Sequence, residues 1–327
     1  MEFIHFIATE NDNERRLDKI ARRILKDESL SAIYKLIRKG FIKLNEKKQK
    51  PESIVFCGDK IQIAAFLLNN KETSKKTNLI PKETEEIKIQ VIFKNKYIRV
   101  INKPYDYSVQ SGKKEKNLCD IISKSYYDEN KNSSSLSFRP GTLHRLDKKT
   151  TGLLVFSENL IGARWFSQAL KANQIKKSYL AILEGHFNEK KLWCDSISNQ
   201  RDKIKNGFYI SKENEAGLKA ITHVEPLSLG TYKNKPITLA RIFIETGRKH
   251  QIRLHSSIHG HPLLGDTAYG GRKIWESQDF FLHCWTMELP KDNPLEIYET
   301  FICPIPLNFI NMIKKHLPDF NIKSYNK

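Results

Sequence analysis

The sequence predicts an α+β protein in two parts: a small basic α/β unit at the N-terminus and a larger α+β domain behind it. Three observations carry this. The length of 327 residues is about twice what one domain of ~150 residues holds. The positive charge is concentrated near the start: residues 14–50 hold thirteen Lys/Arg and five Asp/Glu, a net +8 of the chain's +19. Beyond them, apolar residues recur at both helical and strand spacing.

The first helix is expected at Leu17, Ile20, Ala21, Ile24 and Leu25, which follow the i, i+3, i+4, i+7, i+8 pattern of one buried face. Ser31 is the expected N-cap of a second helix, with Ile33, Leu36 and Ile37 inward and Lys35, Arg38 and Lys39 outward. Gly40 ends it. Phe41–Asn45 reads as a strand, residues 46–48 as a turn, and Asp59–Ile63 as a second strand. This pattern, "RRLDKIARRIL…SAIYKLIRKGFIKLNEKKQKPESIVFCGDKIQI", resembles the S4 RNA-binding domain nearly end to end. Charge alone says only polyanion; the resemblance implies RNA, held by Arg15, Arg16, Lys35, Arg38 and Lys39 on phosphates. The S4-like domain is expected over residues 1–68.

Residues 69–86 are polar and without period, a flexible linker. The remainder, 87–327, reads as α+β: strands at Tyr97–Ile101, Leu153–Phe156, Tyr179–Leu183 and Thr238–Glu245, helices at Ala163–Lys171 and Leu307–His316. Ser133-Ser134-Ser135 marks only a loop.

Composition narrows the classes of function. Aromatic residues at 10% and four Trp exclude a disordered chain despite 39% hydrophobic content. A charge of +19 repels itself unless a polyanion binds; a codon bias toward Lys, Asn and Ile is the plain alternative for the total, less so for its placement. The longest apolar run, Ile63–Leu68, is far short of the ~20 residues of a membrane span. Met1–Glu14 has no basic head of the kind a signal peptide carries. Five scattered cysteines, never as C-x-x-C, point to neither disulfides nor a Cys-type zinc site, and so to a reducing cytoplasm.

The most informative stretch is Arg139 to Val155, "RPGTLHRLDKKTTGLLV". Pro and Gly open it and an apolar strand follows, so His144, Arg145 and Asp147 sit on a loop hung from rigid structure. Taken alone, Arg145 and Asp147 could be no more than a local ion pair. However, "HRLDKKTTGLLV" resembles the H-R-L-D-x-x-T-S-G-L-L-V motif of the RluA-like pseudouridine synthases. Asn102-Lys103-Pro104, Lys177-Ser178-Tyr179-Leu180-Ala181 and Thr246–His255 ("TGRKHQIRLH") follow in that family's order, and the likeness spans roughly residues 90–290. The chain departs from the pattern at Thr151, where Ser is usual, at Lys249, where Thr is usual, and at Asp106, where Gly is usual. S4 domain, linker and synthase domain in that order are the layout of the RluC and RluD branches, with the RluC type nearest in wording.

The resemblance implies the pseudouridine synthase fold, a mixed and mostly antiparallel sheet with flanking helices and a central cleft. It implies isomerisation of uridine to pseudouridine in large-subunit (23S) ribosomal RNA, with no cofactor and no metal, by a monomer that needs neither an obligate protein partner nor a membrane. Asp147 is the expected essential carboxylate, acting on the sugar or base covalently or by withdrawing the C2′ proton; both routes stay open. By resemblance Arg253 is its counter-charge and Tyr179 stacks on the uracil and helps move the C5 proton. Arg145, with His144 beside it, is the expected base-flipping contact, and Arg248 and Lys249 add phosphate contacts.

Other classes fit less well. His250, His255, His259 and His261 cluster, and His255 and His259 share a helix face at i, i+4, but no H-E-x-x-H and no nearby carboxylate completes a metal site. A glycosidase needs a second paired carboxylate, and none is evident. Transfer RNA as substrate, or a non-catalytic RNA-binding role in ribosome assembly, are the alternatives for function.

Overall fold

The computed structural model describes residues 1–69, 89–110, 117–130, 135–197, 202–203, 209–210, 217–274, 279–297 and 300–321. The expected linker at 69–86 lies, from residue 70 on, outside the described residues.

In the N-terminal domain, strand β1 (Phe3–Ile7) precedes a short β2 (Arg15–Arg16), helices α1 (Leu17–Ile24) and α2 (Leu30–Lys39), β3 (Ile42–Leu44), β4 (Ile54–Val55), β5 (Lys60–Ala64) and a turn of helix α3 (Phe66–Asn69). The helical stripe behaves as its spacing demands: Leu17, Ile20, Ala21 and Leu25 are buried with Ile33 and Ile37, while Lys35, Arg38 and Lys39 are exposed. The three-stranded sheet runs β1-β5-β3, antiparallel throughout. The cap of α2 is Ser29, not Ser31: Ser29 Oγ accepts from the Ala32 N–H at 3.2 Å, because the helix starts at Leu30 and a cap reaches three residues ahead. Gly40 ends α2 at φ 80°, a conformation glycine adopts at no steric cost.

The second domain is built on one sheet. Its strands are β6 (Val91–Lys94), β7 (Ile98–Lys103), β8 (Thr151–Ser157), β9 (Lys176–Glu184), β10 (Lys191–Ile197), β13 (Leu218–Tyr232), β14 (Lys235–Ile244), β15 (Leu282–Glu288) and β16 (Thr300–Ile302); a separate small pair joins β11 (Asp202–Lys203) to β12 (Tyr209–Ile210). The order is β10-β13-β14-β9-β15-β8-β7-β6, with β16 on β15, and all pairs are antiparallel except β15 with β8. Helices α4 (Leu118–Glu129), α5 (Leu160–Lys171), α6 (Gln251–Ile258) and α7 (Leu307–His316) flank it. Strand β9 is covered on both sides, so its apolar run is continuous. Tyr179, Ala181 and Leu183 belong to the larger core, and Leu180 and Ile182 to a second one closed by Phe309, Met312 and Ile313 of α7.

Gly152 lets β8 and β15 meet. It stands at φ 110°, and a Cβ there would lie 2.2 Å from the Cys284 carbonyl oxygen. The parallel contact at the centre of the sheet therefore depends on this glycine at the end of the H-R-L-D stretch.

The N-terminal domain is docked on the second domain rather than merely tethered to it. Asp12, fully buried, accepts from Ser135 Oγ (2.7 Å), Leu136 N (3.2 Å), Ser137 N (2.9 Å) and Ser137 Oγ (2.5 Å), and from both Thr9 donors. Asn11 Oδ1 accepts the Leu160 N–H at the start of α5, one of the helix donors that has no partner within the helix. Ser135, expected to mark only a loop, is thus part of an inter-domain seam.

Candidate active site

Four elements converge on a cleft of about 580 Å³ whose lining includes Arg145, Asp147, Lys177, Tyr179, His250 and Arg253. The loop before β8 presents Asp147. It is pinned at its start by Leu143 N to Val155 O (2.8 Å) and by the Val155 N–H to His144 Nε2 (3.2 Å). Leu146 is buried beneath it, and Thr150 N closes a turn onto the Asp147 carbonyl. On the far side, Lys103 at the end of β7 is fully buried and its Nζ donates to the carbonyls of Lys148 (2.7 Å) and Pro104 (2.9 Å). Burial lowers the Lys103 ammonium to about 7, against the upward pull of Asp147 and Asp106.

Arg253, on α6, is oriented by a carboxylate that no motif marks. Its Nε and Nη2 each donate to Asp266 at 2.7 Å, side-on, and the guanidinium lies over the rings of Tyr269 and Phe280. Burial alone would lower it, but the Asp266 bonds and the charges of Asp266 and Asp147 hold it above its ordinary value. Its remaining nitrogen, Nη1, faces Asp147 Oδ2 at 3.7 Å. His250 Nε2 faces Asp147 Oδ1 at 3.5 Å. Among the described residues neither oxygen of Asp147 receives a hydrogen bond, and its side chain is 21% exposed: a carboxylate held beside an arginine and a histidine yet open to the cleft.

Tyr179 enters the cleft from β9, nearly buried. Burial pushes its hydroxyl well above the ordinary value, with Cys284 and Asp147 adding to the rise, so it stays protonated until a partner takes the proton. Lys177, two residues earlier and on the same face, also lines the cleft, and burial lowers its ammonium. Arg145 is exposed at the rim.

The other expected site residues divide. His144 lines the cleft with its ring turned to the protein: Nε2 accepts from β8 and Nδ1 is buried without a partner, burial holding the ring well below its ordinary value and hence neutral. Arg248 donates to the Lys219 carbonyl, and its N–H goes to Gln251 Oε1; the buried Gln251 amide also ties Thr246 and β13 into the same loop. Lys249 is exposed. In the N-terminal domain, Arg15 points into the seam, donating to Ser137 O and Oγ, and Arg16 pairs with Asp18. Lys35, Arg38 and Lys39 share one exposed helical face.

The positions departing from the family pattern are accommodated. Thr151 Oγ1 meets His283 Nδ1 at 2.8 Å. Asp106 stands at φ 61°, the left-handed region that suits the usual glycine, and pairs with Lys148 at 3.6 Å.

The histidine cluster disperses. His250 turns to the cleft, His261 to the Glu184 carbonyl, and His255 and His259 to Asp195, brought over from β10 at 3.6 and 2.8 Å. A carboxylate thus does reach the i, i+4 pair, from about sixty residues upstream, but its oxygen faces the ring nitrogens directly, and among the described residues no group of three such side chains is arranged to hold an ion.

The chain is similar to known proteins. Residues 97–257 match the model of the RNA pseudouridylate synthase family and residues 15–61 that of the S4 domain. An uncharacterised RNA pseudouridine synthase of Aquifex aeolicus is 30% identical over 79% of this chain and 77% of its own. Ribosomal large subunit pseudouridine synthase C of Buchnera aphidicola is 29% identical, covering 85% of this chain and 83% of its own. Ribosomal large subunit pseudouridine synthase D of Vibrio cholerae is 28% identical, covering 82% and 78%. Among solved structures, human RNA pseudouridylate synthase domain containing 4 superposes with a TM-score of 0.55 at 21% identity, covering 69% of this chain and 92% of its own, a likeness of fold.

Proposed function

This chain belongs to the RNA pseudouridine synthase family and carries an S4 domain, and from that premise we propose that it isomerises specific uridines of large-subunit ribosomal RNA, with Asp147 as the reacting carboxylate. The observation that carries the reading is the meeting of Asp147, Arg253 and Tyr179 in one cleft, from three separate elements. The names of the Buchnera and Vibrio relatives support the large-subunit target.

The isomerisation breaks the C1′–N1 bond, turns the uracil and forms a C1′–C5 bond; the C5 proton leaves and N1 gains one, so atoms and electrons balance within the substrate. Asp147 starts it, as nucleophile or as base at C2′. Arg253, bolted to Asp266, keeps a positive charge beside the carboxylate in either route. Tyr179 offers a ring for the uracil to stack on and a protonated hydroxyl near the C5 proton. Arg145 at the rim takes the place of the extruded base; R145A should lose about tenfold on folded RNA and little on a short single strand. Lys35, Arg38 and Lys39, with Lys249, hold phosphates. Residues 1–68 form the RNA-binding domain and 87–327 the catalytic domain of a cytoplasmic monomer.

The test is pseudouridine mapping across ribosomal RNA, by carbodiimide labelling and primer extension, in cells lacking the gene and in cells given back the wild type or Asp147→Ala. Large-subunit signals that vanish and return only with the wild type support the reading. Unchanged ribosomal signals with altered transfer RNA would move the substrate; no change in either would favour a non-catalytic RNA-binding protein.

A further inference from the structure

His250 lies in the T-G-R-K-H-Q-I-R stretch, yet the isomerisation as proposed gives it no task. It occupies a left-handed backbone position, φ 55° and ψ 22°, immediately before α6. That conformation costs a non-glycine residue about 1 kcal/mol, and histidine tolerates it better than most. The surroundings hold the ring between two groups. Nδ1 meets the Tyr269 hydroxyl at 2.8 Å, with the two rings perpendicular, and Nε2 faces Asp147 Oδ1 at 3.5 Å.

We propose that His250 is a positioning residue for Asp147, a neutral imidazole whose Nε2–H is directed at Oδ1 because the Tyr269 hydroxyl fixes the tautomer at Nδ1. The inference rests on Asp147 being the reacting carboxylate. A neutral imidazole carries one proton, and the alternative tautomer would turn a lone pair on the carboxylate oxygen. Burial lowers the ring's affinity for a second proton, Arg253 and Lys249 lower it further, and Asp147 and Asp266 oppose them; the net direction is down. From the other elements, Lys103 of β7 and Tyr179 of β9 face the same carboxylate.

The arrangement divides the carboxylate between two unlike donors, a cation at Oδ2 and a neutral N–H at Oδ1. Two full positive charges would hold the anion too firmly to react, whereas a neutral donor orients it and favours its ionised form. Both distances exceed a formed hydrogen bond, as is usual before substrate closes a site, and a shift of about 0.6 Å would complete the His250 contact.

The experiment compares His250→Asn, Tyr269→Phe and Asp147→Asn in the full-length protein, measuring kcat and KM on an rRNA fragment across pH. Asn tolerates the left-handed backbone but falls short of Oδ1. H250N should lower kcat about tenfold to a hundredfold at nearly unchanged KM, and move the acid limb of the kcat profile to higher pH. Y269F should move the limb the same way by less, and decides the matter should H250N fail to fold. Wild-type kcat in H250N, or a lowered kcat with an unmoved acid limb in both variants, overturns the inference and leaves the role of Asp147 standing. An active D147N would instead remove the premise, and the inference with it.

Discussion

Two aspartates divide the molecule's polar chemistry. Asp12, in the seam between the domains, is fully buried and accepts six hydrogen bonds, four from residues more than 120 positions away. Asp147, in the cleft, stands within 4 Å of an arginine and a histidine and, among the described residues, accepts no hydrogen bond at its side chain. Both are carboxylates in connecting segments, and what separates them is saturation. A carboxylate whose lone pairs are all engaged can only hold structure; one whose neighbours stop short of it keeps its lone pairs open to a substrate. Hydrogen-bond saturation and openness to a ligand are thus assigned to different aspartates, as expected where a site carries unsatisfied groups and the surrounding fold must compensate.

Substituting the two aspartates tests this division directly. Asp147→Asn should abolish pseudouridine formation, a loss of at least ~10²-fold, with an unchanged or higher melting temperature. A fall in stability comparable to the loss of a core residue would break the comparison. Asp12→Ala should do the reverse. All six donors would be left without this acceptor, which should cost about 2–4 kcal/mol in thermal or urea unfolding and expose residues 1–68 to proteases, while the rate on a short single-stranded uridine substrate stays near wild type.

Acid sharpens the contrast. Burial raises the Asp12 carboxyl, but the bonds from Ser137, Thr9 and Ser135 together outweigh it and leave Asp12 below its ordinary value. The unfolded chain then binds the proton first. The Asp12 contribution is complete above about pH 4, the ordinary aspartate range, and is lost as pH falls through the lower folded value. Melting curves between about pH 2 and 5 should show a slope that Asp12→Asn lacks. A smaller effect concerns the outer helical face. Each of K35A, R38A and K39A should flatten the salt dependence of RNA affinity by about 0.7 to 0.9 for every phosphate the side chain neutralises, leaving kcat at saturating RNA unchanged. Smallest, Ser29→Ala should cost about 1 kcal/mol of N-domain stability and Ser31→Ala almost nothing, since only Ser29 caps α2.

Where the chain's own periodicity decides, the sequence was legible. The α1 stripe, the end of α2 at Gly40, the bounds of α7 and the strands β7, β8, β9 and β14 all follow from apolar spacing and turn residues. Elements that alternate weakly went unread: α4, β10, the long β13 and the strand β15 that carries His283-Cys284. Their residues are polar on one face or lie in segments whose partners are distant. The candidate site divides likewise. Asp147, Tyr179 and Arg253 stand out by motif, while Asp266 and Tyr269 sit in a Gly-rich turn that local pattern reads as a connection only.

By itself, the sequence determined the order of the S4 and synthase segments, the basic helix pair, the family and the candidate trio Asp147, Tyr179 and Arg253, because each is written in contiguous spacing or in a motif. Only the tertiary structure decided which basic side chains reach which partners. Arg15 turns into the seam with Ser137 instead of facing outward, His144 props β8, Arg253 is held by Asp266, and His250 faces Asp147. Those pairings depend on strand register and on the close approach at Gly152, where side chains far apart in the chain come within hydrogen-bond reach, and no local pattern encodes that distance.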